Sequence, residues 1–325
     1  MLVTIAAAAY PLDWFDDWSQ YEAKLTAWVA SASSSSLDKY SGGAAQPWGA
    51  APPSRHPPGA PPAQLLVFPE YGAMELASLG GPAVARDLEA SLHEVARHEP
   101  ARAALHARLA RRYGVHILAA SGPVFTGPRP VNRATLYGPE GLIGHQDKQI
   151  MTRFEREDWH VAAPATPGLR VFDTALGRIG ILICYDSEFP PLGRALAEAR
   201  AEVILCPSCT DSVAGFSRVR IGAMARALEG QCVTVQAPTV LPVRWSLAVD
   251  ENRGRAAIFG PPDRGWPETG VIAEGPMDAP GWVIATVDRA LVAQSRADGA
   301  VLPFAHYPES QAAAAVPVIR APQKP

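Results

Sequence analysis

Apolar positions along this chain follow two rhythms. Short apolar runs, too brief for helices of their own, occur at residues 3–9, 64–70, 115–120, 133–137, 169–174, 178–184, 202–207, 231–237, 256–260 and 281–287. Runs of this length and type read as buried strands. Between them lie stripes spaced by three or four: Trp14, Trp18, Tyr21, Leu25 and Val29, then Val84, Leu88, Leu92, Val95, Leu105 and Leu109. Such spacing predicts helices over residues 14–29 and 84–112, the second broken at Pro100. Residues 218–230 read as a helix ending on Gly230. Gly138-Pro139-Glu140-Gly141 and Ala175-Leu176-Gly177 are turn text between strands, the first leading into a return strand opened by Leu142 and Ile143. Strand–helix alternation mixed with turn-linked strand pairs predicts α/β layers, with sheets packed face to face and helices outside.

Two stretches break the rhythm. Residues 31–63, with the run Ser33–Ser36 and then proline-rich text, read as a low-complexity, mobile surface insertion. Residues 311–325 read as a C-terminal tail, which leaves a single domain over residues 1–310.

Composition narrows the classes. Over 325 residues, 48% hydrophobic and 19% charged residues suit a chain with a substantial core. A formal net charge of −3 argues against a phosphate-neutralising surface, so nucleic acid is not an expected partner. No apolar run approaches the roughly 18 residues needed to span a bilayer. The apolar start at Met1 lacks the basic residues of a signal peptide, so a cytoplasmic location is the default reading. Four cysteines are too few for a disulfide scaffold in a chain this long. Cys206-Pro-Ser-Cys209 has no second pair to complete a zinc set, so no metal is assigned.

Three polar residues sit just beyond apolar runs: Glu70, Lys148 and Cys184. Groups at strand ends are the ones that converge on a ligand crevice in α/β sheets. After Cys184 the text turns polar, and Pro190-Pro191 opens a helix. Cys184 is therefore expected partly exposed, at a strand–turn–helix junction.

The local text around these residues resembles the nitrilase superfamily, the carbon–nitrogen hydrolases. Phe68-Pro69-Glu70-Tyr71-Gly72 is similar to the family's first glutamate segment, and Asp147-Lys148 with Thr152, Glu155, Arg156 and Trp159 to its lysine segment. Residues 180–190 around Cys184 resemble its nucleophile elbow, and Ala225-Arg226-Ala227-Leu228-Glu229 its later helix. The resemblance implies a four-layer α-β-β-α sandwich and a Glu70, Lys148, Cys184 triad with Glu155 as a second glutamate holding the lysine. It further implies an oxyanion site built from Lys148 and the Tyr185 backbone N–H, no metal or organic cofactor, and at least a homodimer. Tyr71 and Trp159 adjoin the triad in sequence and are candidate pocket walls. The pair Tyr185-Asp186 is similar to the amidase and carbamoylase branches, whereas the lysine segment is similar to the nitrilase branch. The reading taken forward is hydrolysis of a small amide or N-carbamoyl compound. Nitrile hydrolysis, acyl transfer and non-catalytic binding stand as alternatives.

Overall fold

The computed structural model describes residues 1–33, 54–55, 61–314 and 316–321. The chain opens with β1 (Leu2–Pro11), α1 (Trp18–Ser33), β2 (Ser54–Arg55) and β3 (Leu65–Val67). A 3-10 stretch, Gly72–Gly80, precedes α2 (Pro82–Ala85), α3 (Leu88–Arg97) and α4 (Glu99–Tyr113). Then come β4 (His116–Leu118), β5 (Gly122–Phe125), β6 (Pro130–Gly138), β7 (Gly141–Asp147) and α5 (Arg153–Glu157). The second half holds β8 (Val171–Thr174), β9 (Gly177–Ile181), a 3-10 turn at Cys184–Glu188, α6 (Pro190–Glu198), β10 (Val203–Ser208) and α7 (Val213–Gly230). It ends with β11 (Val233–Val240), β12 (Ala257–Phe259), β13 (Val271–Glu274), β14 (Gly281–Asp288), α8 (Ala290–Asp298) and α9 (Pro303–Ala312).

The strands form two halves of one curled sheet. One runs β14-β1-β3-β4-β6-β7 with β5 also on β6, and the other β8-β9-β10-β11-β12-β13. They are joined where Tyr10 and Pro11 of β1 pair in parallel with Thr239 and Val240 of β11. Side chains alternate across each strand, which assigns the faces. Val3, Ile5, Ala7 and Ala9 of β1 join Ile179, Ile181, Val203, Leu205, Val233 and Val235 in the core between the two halves. Ala6, Ala8 and Tyr10 of the same strand face the helix layer, against Leu25, Val29, Leu92 and Leu105. Val219, Ala223 and Ala227 of α7 cover the other half from outside. The architecture is the four-layer α-β-β-α sandwich expected.

Boundaries shifted for physical reasons. α1 starts at Trp18 rather than at Trp14, because the Asp17 carboxylate accepts the Ser19 and Gln20 N–H groups, 2.8 and 3.2 Å, at the helix start. The break between α3 and α4 falls at His98, and Pro100 sits in the first turn of α4, where its missing N–H costs nothing. β5, β13, α8 and α9 lacked a readable pattern; α9 has no fully buried residue but packs Phe304 and Tyr307 against Arg194, and it crosses the expected boundary at residue 311. The expected insertion, residues 31–63, lies mostly outside the described residues. Of its described parts, residues 31–33 are helical and Ser54–Arg55 pairs with Trp282 and Val283 of β14.

Candidate active site

Four strand ends meet in one cavity of about 700 Å³. Glu70 follows β3, Lys148 follows β7, Cys184 follows β9 and Cys209 follows β10, and all four line this cavity. Tyr71, Glu155, Trp159 and Tyr185 line it as well. Residues far apart in sequence are thus brought together as expected.

Lys148 is the hub. Its Nζ donates to Glu70 Oε1 at 2.7 Å and to Glu155 Oε2 at 2.6 Å, with all three side chains buried. Both carboxylates accept further hydrogen bonds. Glu70 accepts from Asn132 Nδ2 at 3.0 Å and, on Oε2, from the Cys209 N–H at 3.0 Å. Glu155 accepts from the Tyr71 hydroxyl at 2.6 Å and from the Thr152 N–H and hydroxyl, each at 2.8 Å. Thr152 and Glu155 thereby form the capping box of α5, so the local signal that starts this short helix also aims the glutamate at the lysine.

Cys184 is 4% exposed, more buried than the sequence suggested, because the turn after β9 is packed under α7. Its backbone is left-handed, φ 50°, a conformation non-glycine residues seldom adopt and one that turns the side chain toward the cavity. Two close approaches hold this turn. A Cβ on Gly222 of α7 would come within 2.8 Å of the Ser187 carbonyl oxygen. A Cβ on Gly193 of α6 would sit 1.9 Å from Arg226 Cδ, and Arg226 Nη1 passes that glycine to donate to the Ser187 carbonyl at 2.9 Å. Helix packing, not local propensity, stabilises the strained residue.

The Cys184 sulfur lies 3.8 Å from the Cys209 carbonyl oxygen. Burial, reinforced by the Glu70 charge and opposed by Lys148, pushes the thiol well above its ordinary value, so the resting sulfur carries its proton. Burial also raises Glu70, against the pull of Lys148. Burial works against the Lys148 ammonium, yet Glu155 and Glu70 outweigh it and hold the lysine charged. Glu155 feels the same burial, and Lys148 with its hydrogen bonds overrides it to keep that carboxyl ionised.

Tyr185 stands in the first turn of a 3-10 segment, where early N–H groups have no partner within the turn. Trp159 is buried and donates its indole N–H to the Leu88 carbonyl at 3.1 Å, so it stiffens the wall as well as lining it. Sequence reasoning missed Asn132 and Cys209, whose contacts run through sheet neighbours and a backbone N–H that no local pattern marks. The Cys206-x-x-Cys209 pair is split between core and cavity: Cys206 is buried in β10, while Cys209 donates to Asn252 Oδ1 at 3.3 Å. Among the described residues no group of three His, Cys, Asp or Glu could hold a metal ion. Among them no helix is long and apolar enough to cross a membrane.

An α-β-β-α sandwich with a lysine between two glutamates beside a cysteine defines a class, and comparison with known proteins agrees. Residues 4–297 match the family model for carbon-nitrogen hydrolases, and the chain belongs to that family. Among curated relatives it is 33% identical to the probable hydrolase YhcX of Bacillus subtilis over 237 residues, 73% of this chain and 45% of that protein. It is 36% identical over 142 residues to the deaminated glutathione amidase of Yersinia enterocolitica, covering 41% of this chain and 50% of that one. The chain thus aligns with about half the length of these relatives. Among solved structures it superimposes on Nit3 of Saccharomyces cerevisiae, a nitrilase-superfamily member, with a TM-score of 0.65, 17% identity and coverage of 91% and 93%. At that identity the likeness concerns the fold.

Proposed function

We propose that this carbon–nitrogen hydrolase cleaves a small amide or N-carbamoyl compound through a thioester on Cys184. The observation that carries the reading is the Lys148 ammonium held between Glu70 and Glu155 at the wall of the cavity that Cys184 enters. A protonated thiol must lose its proton as it attacks, and Glu70 is the base at hand. Sulfur adds to the amide carbon while Glu70 takes the thiol proton. The resulting oxyanion is held by the Lys148 ammonium and the Tyr185 N–H, donors of a kind each worth about 10²–10³ in rate. Collapse breaks the C–N bond, and Glu70 returns the proton to the leaving nitrogen. Water, deprotonated by Glu70, then attacks the thioester; the acid leaves and the thiol regains its proton. Glu155 fixes the lysine in place and is itself oriented by Tyr71 and Thr152. Tyr71 and Trp159 form the wall against which the substrate's acyl part packs.

The amidase name of a relative from Yersinia enterocolitica and the Tyr185-Asp186 pair support this substrate class. A second reading, nitrile hydrolysis, draws on the lysine segment through Trp159. Ammonia release from matched amides, N-carbamoyl amino acids and nitriles tests the choice: turnover of the first two classes supports it, and turnover of nitriles alone overturns it. We take the working assembly to be at least a homodimer of a single domain over residues 1–310, and a light-scattering mass near the 34.5 kDa of one chain would reject the dimer.

A further inference from the structure

One buried side chain joins the segment that carries Lys148 to the turn that carries Cys184. Residues 148–152 between β7 and α5 belong to neither helix nor strand, so their backbone needs anchoring from elsewhere. The Lys148 N–H donates to the Asn132 carbonyl at 2.9 Å. The next two N–H groups both go to Asp186. Its Oδ1 accepts from Ile150 at 2.9 Å and Gln149 at 3.2 Å, and its Oδ2 accepts from Gln149 at 3.1 Å. Asp186 is fully buried, and its own N–H donates to the Ile183 carbonyl at 3.0 Å, closing the nucleophile turn. Asp186 is therefore tied by its backbone to the turn that carries Cys184 and by its carboxylate to the lysine segment.

We propose that Asp186 is a positioning residue that sets the Lys148 ammonium against the Cys184 sulfur, resting on the reaction assigned above. The groups that bear on its charge are Lys148 and Glu70 at the site and Cys206 on β10 behind it. Arg226 of α7 is occupied by the Ser187 carbonyl and by Glu229. Burial, opposed by Lys148 and by the Gln149 and Ile150 N–H groups, raises the Asp186 carboxyl from 3.8 to about 7. Its two roles then have opposite signs. The ionised form is the one that accepts all three contacts, so the lysine segment loosens and activity falls as pH drops through about 7. An acid raised in the fold binds protons more tightly there than in the unfolded chain. Stability from this group is thus fully present below the unfolded value and is lost as pH rises through the folded one.

The test uses Asp186→Asn and Asp186→Ala in the full chain. Asp186→Asn keeps an acceptor but no charge; kcat falls about tenfold with KM little changed, and the acid limb of the pH profile moves down from near 7. Its thermal midpoint relative to wild type improves as pH rises from 5 to 8. A merely structural residue would lower activity and stability together at every pH. Asp186→Ala removes every contact and costs about 10²-fold in kcat per folded molecule. Alkylation of Cys184 by iodoacetamide, which needs no substrate, slows about threefold or more in both variants because the thiolate loses Lys148. Unchanged kcat, acid limb and alkylation in Asp186→Asn overturn the proposal while leaving the hydrolase reading standing. Asp186-dependent alkylation in a protein that turns over no amide supports the positioning role and overturns the reaction instead.

Discussion

The molecule builds the same ionic cluster twice. At the site, Lys148 lies between Glu70 and Glu155, and the Tyr71 hydroxyl completes Glu155. Behind it, Lys24 of α1 contacts Glu75 at 2.7 Å and Asp13 at 2.8 Å, and the Tyr10 hydroxyl donates to Glu75 at 2.7 Å. Both lysines are buried, and in both clusters burial pushes a glutamate up while the lysine pulls it back. What differs is the surroundings. Lys24 is closed off by the Tyr10 ring, 4.1 Å from its centroid, by Phe15 and by the Pro11 carbonyl at 2.6 Å. Lys148 instead borders a cavity that also admits a thiol. A buried lysine–carboxylate cluster is a structural motif by default; an open cavity wall with a thiol on it is what sets the Lys148 cluster apart.

Exchanging the lysines for methionine separates the two roles most sharply. Lys148→Met lowers kcat by about 10²–10³-fold, read as ammonia release per folded molecule. Lys24→Met leaves kcat per folded molecule unchanged but costs about 3–5 kcal/mol in urea unfolding, because Glu75 and Asp13 lose their partner. Comparable activity losses in the two variants would erase the distinction. A smaller effect comes from His106, which burial and then the Arg102 charge depress from 6.5 to about 3. A base with a depressed folded value contributes stability that is present above the unfolded value and is lost as pH falls through the folded one. His106→Phe, which preserves the stacking on Tyr137, should flatten the fall in thermal midpoint between pH 6.5 and 3. An unchanged slope would assign acid lability to other groups. The smallest effects come from the two tyrosines. Tyr71→Phe and Tyr10→Phe each remove one buried hydrogen bond worth about 1 kcal/mol. The first appears mainly as a several-fold loss in kcat, the second as a lower denaturant midpoint.

Legibility followed the same divide. Glu70, Lys148 and Cys184 stand in local text dense enough to be read, and the apolar runs before them gave their strand ends. Glu155 was legible only through the resemblance of the lysine segment to the family's, and its capping box with Thr152 emerged from the structure. Asn132 was not, since its amide reaches Glu70 across the sheet from inside β6, where it looks like any strand residue. The Lys24–Glu75 cluster was invisible for the same reason: α1 and the stretch after Glu70 meet only in the packed fold. The burial of Cys184 was misjudged because it depends on Gly193 and Gly222 letting two helices close over the turn. The ends of α1 and α3 moved by a few residues because side-chain caps and proline geometry, rather than apolar spacing, decide helix ends.

The central claim is that Cys184 is the nucleophile and Lys148 the charge that activates it. Brief exposure to fluoroacetamide followed by peptide mass spectrometry tests this directly, since a thiolate displaces fluoride and keeps the acetamide group. The account predicts a single adduct on Cys184, much reduced in Lys148→Met, with Cys206, Cys209 and Cys232 unmodified. An adduct that forms first on Cys209, or at the same rate on Cys184 without the lysine, would contradict it.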